Sequence, residues 1–139
     1  MSIDTKIKKL FSKYEKAFSG IQVEKQIPLF AENFISAGPS GSSAISREEF
    51  IKISDETADI YRRAGQTEAK IFSLEEIPIT DEYSMVLIHW GAKFKKTGSK
   101  WVEFDVTYFI QKTDVKPNII MFIAHQDRYN KMRELGLIT

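Results

Sequence analysis

YSMVLIHWGAKFKKTGSKWVEFDVTYFIQKT, residues 83–113, alternates apolar and polar side chains on both sides of Thr97-Gly98. Alternation over such lengths predicts strands, and a turn dipeptide between them predicts an antiparallel hairpin. With Thr97-Gly98 as a two-residue turn, Lys96 pairs with Ser99, and counting back sets His89 beside Val106 and Leu87 beside Tyr108. Working outward, Thr67–Ile79 and Ile119–Asp127 show the same period between turn formers, so four sequential strands form an antiparallel meander. Taking 113–118 as the last loop places Val106 beside His125, Tyr108 beside Ile123 and Phe104 beside Asp127.

That register sorts the side chains. One face collects Leu87, His89, Val106, Tyr108, His125 and Asp127, where two imidazoles, a phenol and a carboxylate share an otherwise apolar surface. Such groups seldom converge without a ligand, water or hydrogen-bond network, so this face is the expected pocket. The other carries Val86, Ile88, Trp90, Phe94, Trp101, Phe109, Ile120 and Phe122, too apolar to be left in water. Helices cover one face, and the aromatic one is expected to pack against a second copy of the chain, giving a homodimer through sheet-to-sheet contact.

Upstream of the strands the period is helical. Ile7, Leu10, Phe11, Tyr14 and Phe18 recur at steps of three and four from Asp4 to Gly20, with lysines on the solvated side. A shorter helix is expected between Val23 and Phe34, with Pro28 in a first turn or kink. The turn formers of Ala37 to Ser43 predict a loop at a pocket rim or surface. Ser46 and Glu49 form a capping box that starts a third helix, and Arg62, Arg63 and Gly65 end it. The segment from Arg128 to Leu137 reads as a short C-terminal helix or tail. The fold class is therefore α+β, one domain over residues 1–139, with three N-terminal helices packed on a curved antiparallel sheet.

Composition narrows the chemistry. The 139 residues carry 20 basic and 19 acidic side chains, so the formal charge is +1, which argues against a nucleic-acid or membrane-surface protein. There is no cysteine, which excludes thiolate nucleophiles and thiolate metal ligands. Met1 to Phe11 lacks an apolar export core, and the longest apolar run, Ile119 to Ala124, is too short to span a bilayer, so a cytoplasmic location is expected. His89, His125 and Asp127 form a nominal two-histidine, one-carboxylate set, but the histidines lie two strands apart and no metal is expected. Lys93, Lys95, Lys96 and Lys100 read as a solvated hairpin tip.

The order helix, helix, short strand, helix and long antiparallel strands resembles the NTF2-like superfamily, which includes ketosteroid isomerase and the SnoaL-like polyketide cyclases. Local anchors are Lys13-Tyr14, the run Leu29-Phe30-Ala31-Glu32-Asn33 leading to Gly38-Pro39, and the Leu135-Gly136-Leu137 ending. The resemblance implies an NTF2-like cone with a pocket between helices and sheet. In ketosteroid isomerase a first-helix tyrosine donates to the developing oxyanion, a protonated carboxylic acid assists it, and an aspartate is the base. Tyr14 matches that tyrosine, the assisting acid falls near Tyr108, and the aspartate corresponds to Gly38, which accepts no proton. Steroid-type isomerisation by that mechanism is therefore not expected.

Two functional readings follow. In the first, a homodimer binds a small apolar molecule without a cofactor, lined by Phe18, Leu87, Val106, Ile123 and Asp127. Cofactor-free acid/base chemistry of isomerase, cyclase or dehydratase type on a carbonyl compound would use His125 or His89 as base, and Tyr14 or Tyr108 as oxyanion donor. In the second, the chain is a noncatalytic dimerisation or protein-binding module that works through Trp90, Phe94, Trp101 and Phe109.

Overall fold

In the computed structural model, residues 3–113 and 115–139 are described; Met1, Ser2 and Asp114, which fall within the sequence expectations above, lie outside them. The elements run α1 (Thr5–Ser19), α2 (Val23–Gln26), a single 3-10 turn (Ile27–Leu29), β1 (Phe30–Gly38), β2 (Gly41–Ser46), α3 (Arg47–Ala64), β3 (Gln66–Pro78), β4 (Tyr83–Phe94), β5 (Val102–Gln111), β6 (Asn118–Ala124) and α4 (Arg128–Glu134). The fold is α+β, with helices on one face of a curved six-stranded sheet ordered β2-β1-β6-β5-β4-β3. The sheet is mixed rather than wholly antiparallel, because β1 runs parallel to β6, pairing Phe30 with Ile119 and Ala37 with Ile123. Among the described residues, no helix is long and apolar enough to cross a membrane.

The helix boundaries follow local chemistry. Asp4 caps α1 by accepting from the Lys6 and Ile7 amides, and Ile7, Leu10, Phe11 and Phe18 are buried along one stripe. The capping box of α3 is present, with the Ser46 hydroxyl accepting from the Glu49 amide, and Gly65 ends the helix at φ 83°. The second expected helix is much shorter than the span 23–34. Pro28 sits in the 3-10 turn, and the chain is extended from Phe30 onward. Phe30 and Phe34 share a face in that strand despite their helix-like spacing, and the 37–43 stretch is no free loop but the Pro39-Ser40 turn and arms of the β1–β2 hairpin.

Helix α1 lies along the edge strand β3 and takes up backbone donors there. Ile71 N–H donates to Glu15 Oε2 at 2.6 Å, and Ala69 N–H donates to Ser19 Oγ at 3.0 Å. The open edge of the sheet is thereby covered. At the start of α3, the Arg47 guanidinium donates to the Phe30 carbonyl from Nε (2.9 Å) and Nη2 (2.6 Å), tying helix to strand.

The register differs from the expected one by a single residue, and that residue exchanges the faces. Seven residues, 95–101, connect β4 to β5 with Gly98 left-handed at φ 61°, so Ala92 pairs with Val102, Ile88 with Val106 and His89 with Asp105. A bulge at Ile120 shifts the next pair, so Val106 faces Ala124 and Tyr108 faces Phe122. Val86, Ile88, Trp90, Phe104, Val106 and Tyr108 therefore point inward and are buried, while Met85, Leu87, His89, Asp105, Phe109 and Ile123 point outward. Trp90 and Phe94, expected on a self-association surface, are core residues at 1% exposure each. Trp101 stays outside, packed edge-on against Phe72 at 5.1 Å with the Lys93 ammonium 4.3 Å from its ring centroid.

Candidate functional site

Between the inner sheet face, α1, α3 and the β1–β2 hairpin lies a cavity of about 630 Å³. It is within the range of small-molecule sites. Aromatic residues form much of its wall. Phe18 meets Trp90 edge-on at 5.2 Å, Tyr14 meets Tyr108 edge-on at 5.7 Å, and Trp90 stacks on Phe104 at 6.3 Å. The hairpin turn Gly38-Pro39-Ser40-Gly41, with Ser42 and Ser43, borders the cavity, and Ile21, held at φ 53°, borders it from the end of α1. A β-branched side chain in that conformation is a strained position.

Four phenols, of Tyr14, Tyr61, Tyr108 and Tyr129, lie on the lining, together with serines, Thr57, two glutamines, Asp127 and Arg128. Trp90 Nε1 donates to the Tyr108 hydroxyl at 3.1 Å, leaving the Tyr108 proton to be donated onward. Burial pushes the Tyr108 phenol well up, with neighbouring Tyr14 adding to the effect, and burial likewise raises Tyr14 against the lowering influence of Arg128. Both are neutral hydrogen-bond donors around neutral pH. Tyr129 Oη donates to Thr57 Oγ1 at 3.4 Å across the α3 side. Asp127 lines the cavity but caps α4, accepting from the Asn130 amide at 3.1 Å.

Arg128, the first residue of α4, carries the one cation among the described lining residues. Its guanidinium carbon sits 5.1 Å from the Phe104 ring centroid and 5.9 Å from that of Tyr61. Burial works against its charge, but the surrounding tyrosines, Tyr61 foremost, outweigh this, and the group stays protonated. Tyr61 is close enough to feel that charge, yet its buried hydroxyl makes no hydrogen bond of normal geometry.

The cavity gathers Tyr14, Phe18, Val106, Tyr108 and Asp127 from the expected set. Leu87, His89, Ile123 and His125 lie across the sheet, because of the one-residue register difference. His89 is bracketed there by Asp105 at Nδ1 and Glu103 at Nε2, each 2.7 Å away, and the two carboxylates, Glu103 first, raise its pKa. His125 Nε2 is 2.7 Å from Thr107 Oγ1. Neither imidazole reaches the cavity, so neither serves as a base for a ligand there. His89 and His125 do not converge with Asp127, and no described cluster of three His, Asp or Glu could hold a metal ion. Sequence reasoning missed Trp90 and Phe122 as lining residues through the register, left Phe104 unnamed although its expected pairing with Asp127 set it on the pocket face, and missed Arg128. Arg128 had a signal only in its place directly after the helix-capping Asp127.

A family model described as "NTF2-like protein (DUF6841)" matches residues 4–127. No curated protein matches the chain significantly. Similar solved structures include an NTF-2 like protein of unknown function from Shewanella oneidensis MR-1, 15% identical with TM-score 0.72, the match covering 87% of this chain and 97% of that one. A protein of unknown function with a cystatin-like fold from Nostoc punctiforme PCC 73102 is also 15% identical with TM-score 0.72, covering 91% and 96%. A ketosteroid isomerase-like protein from Erwinia carotovora atroseptica SCRI1043 is 11% identical with TM-score 0.65, covering 86% and 92%. At these identities the likeness is one of fold.

Proposed function

The chain belongs to the NTF2-like family DUF6841, and we propose that it is a small-molecule-binding member whose cone takes one apolar, ring-containing compound. The observation that carries this is the aromatic cavity of about 630 Å³ with neutral phenols on its wall. Apolar walls supply affinity by burying ligand surface, and a few placed donors supply orientation. If a carbonyl compound occupies the site, Tyr14 and Tyr108 are the donors available to its oxygen, and Asp127 is the carboxylate on the lining. An acid/base role for this site therefore runs through those three residues and not through the histidines.

The test is a thermal-stability screen against apolar, aromatic and carbonyl compounds, since a ligand of the folded state raises the melting temperature by mass action. Hits should weaken in Val106→Trp, which fills the cavity, and persist in His125→Ala on the far face. A panel without hits, or hits indifferent to Val106→Trp, would remove the reading.

The same proposal includes self-association through the outer sheet face, with its membership revised. Met85, Leu87, Phe109, Met121 and Ile123 lie contiguously on three neighbouring strands, flanked by Ile35, Phe72 and Ile77, which are 36%, 38% and 38% exposed. A continuous apolar patch on one sheet favours a second copy as its cover. Light scattering should give a dimer mass that Leu87→Asp converts to monomer. A monomeric parent chain would refute the self-association.

A further inference from the structure

Arg128 stands apart from the chain's other arginines and lysines in the cavity. The other lining residues are apolar or uncharged, apart from the neighbouring Asp127. That carboxylate is turned to the α4 amides and makes no ion pair with Arg128; no other described acidic side chain does so either. The guanidinium lies over the rings of Phe104 and Tyr61, and the neutral Tyr61 hydroxyl is the polar protein group that interacts with it. Cation–π attraction offsets part of the cost of keeping a guanidinium among protein atoms, but satisfies none of its five N–H donors. A charge held this way, facing an open volume, is a half-made ion pair whose missing half is an anion.

We propose that Arg128 is an anion receptor, and that the cavity takes a ligand with an aromatic or other apolar body and a single carboxylate seated on the guanidinium. The inference rests on the ligand-binding reading above and narrows it. A carboxylate is favoured over a phosphate monoester on two grounds. Its planar pair of oxygens matches the guanidinium fork in two parallel hydrogen bonds. A dianionic phosphate would also need further cations, and Arg128 is alone among the described lining residues. The guanidinium lies over the Phe104 and Tyr61 rings, and no described carboxylate takes up its N–H donors, which is the place the ligand's carboxylate would fill. The neutral Tyr14 and Tyr108 hydroxyls, which interact with each other elsewhere on the wall, offer that pair to a second polar atom of the same molecule.

The experiment uses matched pairs on the whole chain. Benzoate, cinnamate and naphthoate are each titrated calorimetrically against the corresponding primary amide, with phenyl phosphate alongside. The unaltered protein should bind at least one acid about 10- to 100-fold more tightly than its amide, the span expected of a charge-assisted bidentate contact. Arg128→Gln should erase that difference, and Arg128→Lys, which keeps the charge and loses the fork, should leave part of it. Equal binding of acid and amide by the unaltered protein would overturn the anion receptor while leaving the cavity reading standing. So would an acid preference that survives Arg128→Gln. Tighter binding of phenyl phosphate than of every acid would overturn the carboxylate assignment. Binding of none of these compounds would overturn both readings together. Should Arg128→Gln not fold, the acid-to-amide ratio of the unaltered protein and the Arg128→Lys ratio decide.

Discussion

The two faces of the strands β4 and β5 are built from alternate residues of the same chain, yet they handle polarity in opposite ways. Inward, Ile88, Trp90, Val106 and Tyr108 are buried, and the cavity they border holds neutral phenols, an indole, hydroxyls and amides, with one cation that no carboxylate pairs. Outward, half-buried apolar residues are interleaved with charged side chains that pair with each other, as His89 does with Glu103 and Asp105. The outer face is complete in its charges and incomplete in its apolar cover, whereas the inner face is the reverse. One surface is therefore suited to another protein surface, and the other to a molecule that brings a charge of its own.

The largest expected effect separates the faces by stability. Trp90→Ala removes a fully buried ring that touches Tyr14, Phe18 and Phe104, and should cost about 3–5 kcal/mol in urea unfolding. Leu87→Ala, three residues away on the opposite face of the same strand and half-buried, should cost about 1 kcal/mol, the area term without a full cavity. Equal costs would break the distinction. Next comes Gly91→Ala on the outer face, where an added Cβ would lie 2.5 Å from the Phe72 ring and 3.0 Å from Trp101. Phe72 is partly exposed and can swing away, so a loss of about 1 kcal/mol is expected in the same assay, with loss of the Phe72–Trp101 contact in NMR spectra.

Much of the fold was legible before any coordinates. The capping box, the glycine stop of α3, the four long strands and the family resemblance all rest on short-range signals, which local chemistry writes into contiguous residues. The face assignment was not legible, because it depends on parity. Thr97-Gly98 looks like a two-residue turn, but the chain spends seven residues there, and the extra residue at Ile120 has no mark in the sequence. Phe30 and Phe34 have helix spacing and lie in a strand, because Pro28 ends the helical path just before them. Of the site, Tyr14 and Phe18 were legible from the α1 stripe alone. Arg128 was not, since nothing local tells a cavity-facing arginine from one in solvent.

That parity argument yields a smaller prediction. If burial and not the turn holds the register, one extra glycine after Gly98 should be absorbed by the 95–101 connection at a cost below about 1 kcal/mol. The cross-strand NMR contact between His89 and Asp105 should survive, and its replacement by His89 against Val106 would show the turn in control. The smallest effect concerns pH. The raised pKa of His89 means the folded state holds its proton more tightly than the unfolded chain, so its contribution is full below about pH 6.5 and is lost as pH rises through the raised value. Asp105, lowered chiefly by its hydrogen bond to His89, contributes above its ordinary range and loses that contribution as pH falls through its folded value. Urea midpoints measured at about pH 6 and about pH 9 should therefore drop slightly in the parent chain and stay level in His89→Asn. A parallel drop in both would exclude His89 as the source.

The parallel pairing of β1 with β6 has a consequence for time rather than for shape. It joins residue 30 to residue 119, the longest reach in the sheet, whereas the β3–β6 meander is built from neighbours in sequence. Contacts between distant segments carry the greatest loop-closure entropy and are won late on a folding pathway. The hairpin that borders the cavity hangs on that junction, which sets it beside the strand that leads into Arg128. A chain without the β1–β6 pairing has no hairpin to close the cavity, so a compound that recognises the cavity stabilises only molecules in which that pairing is made.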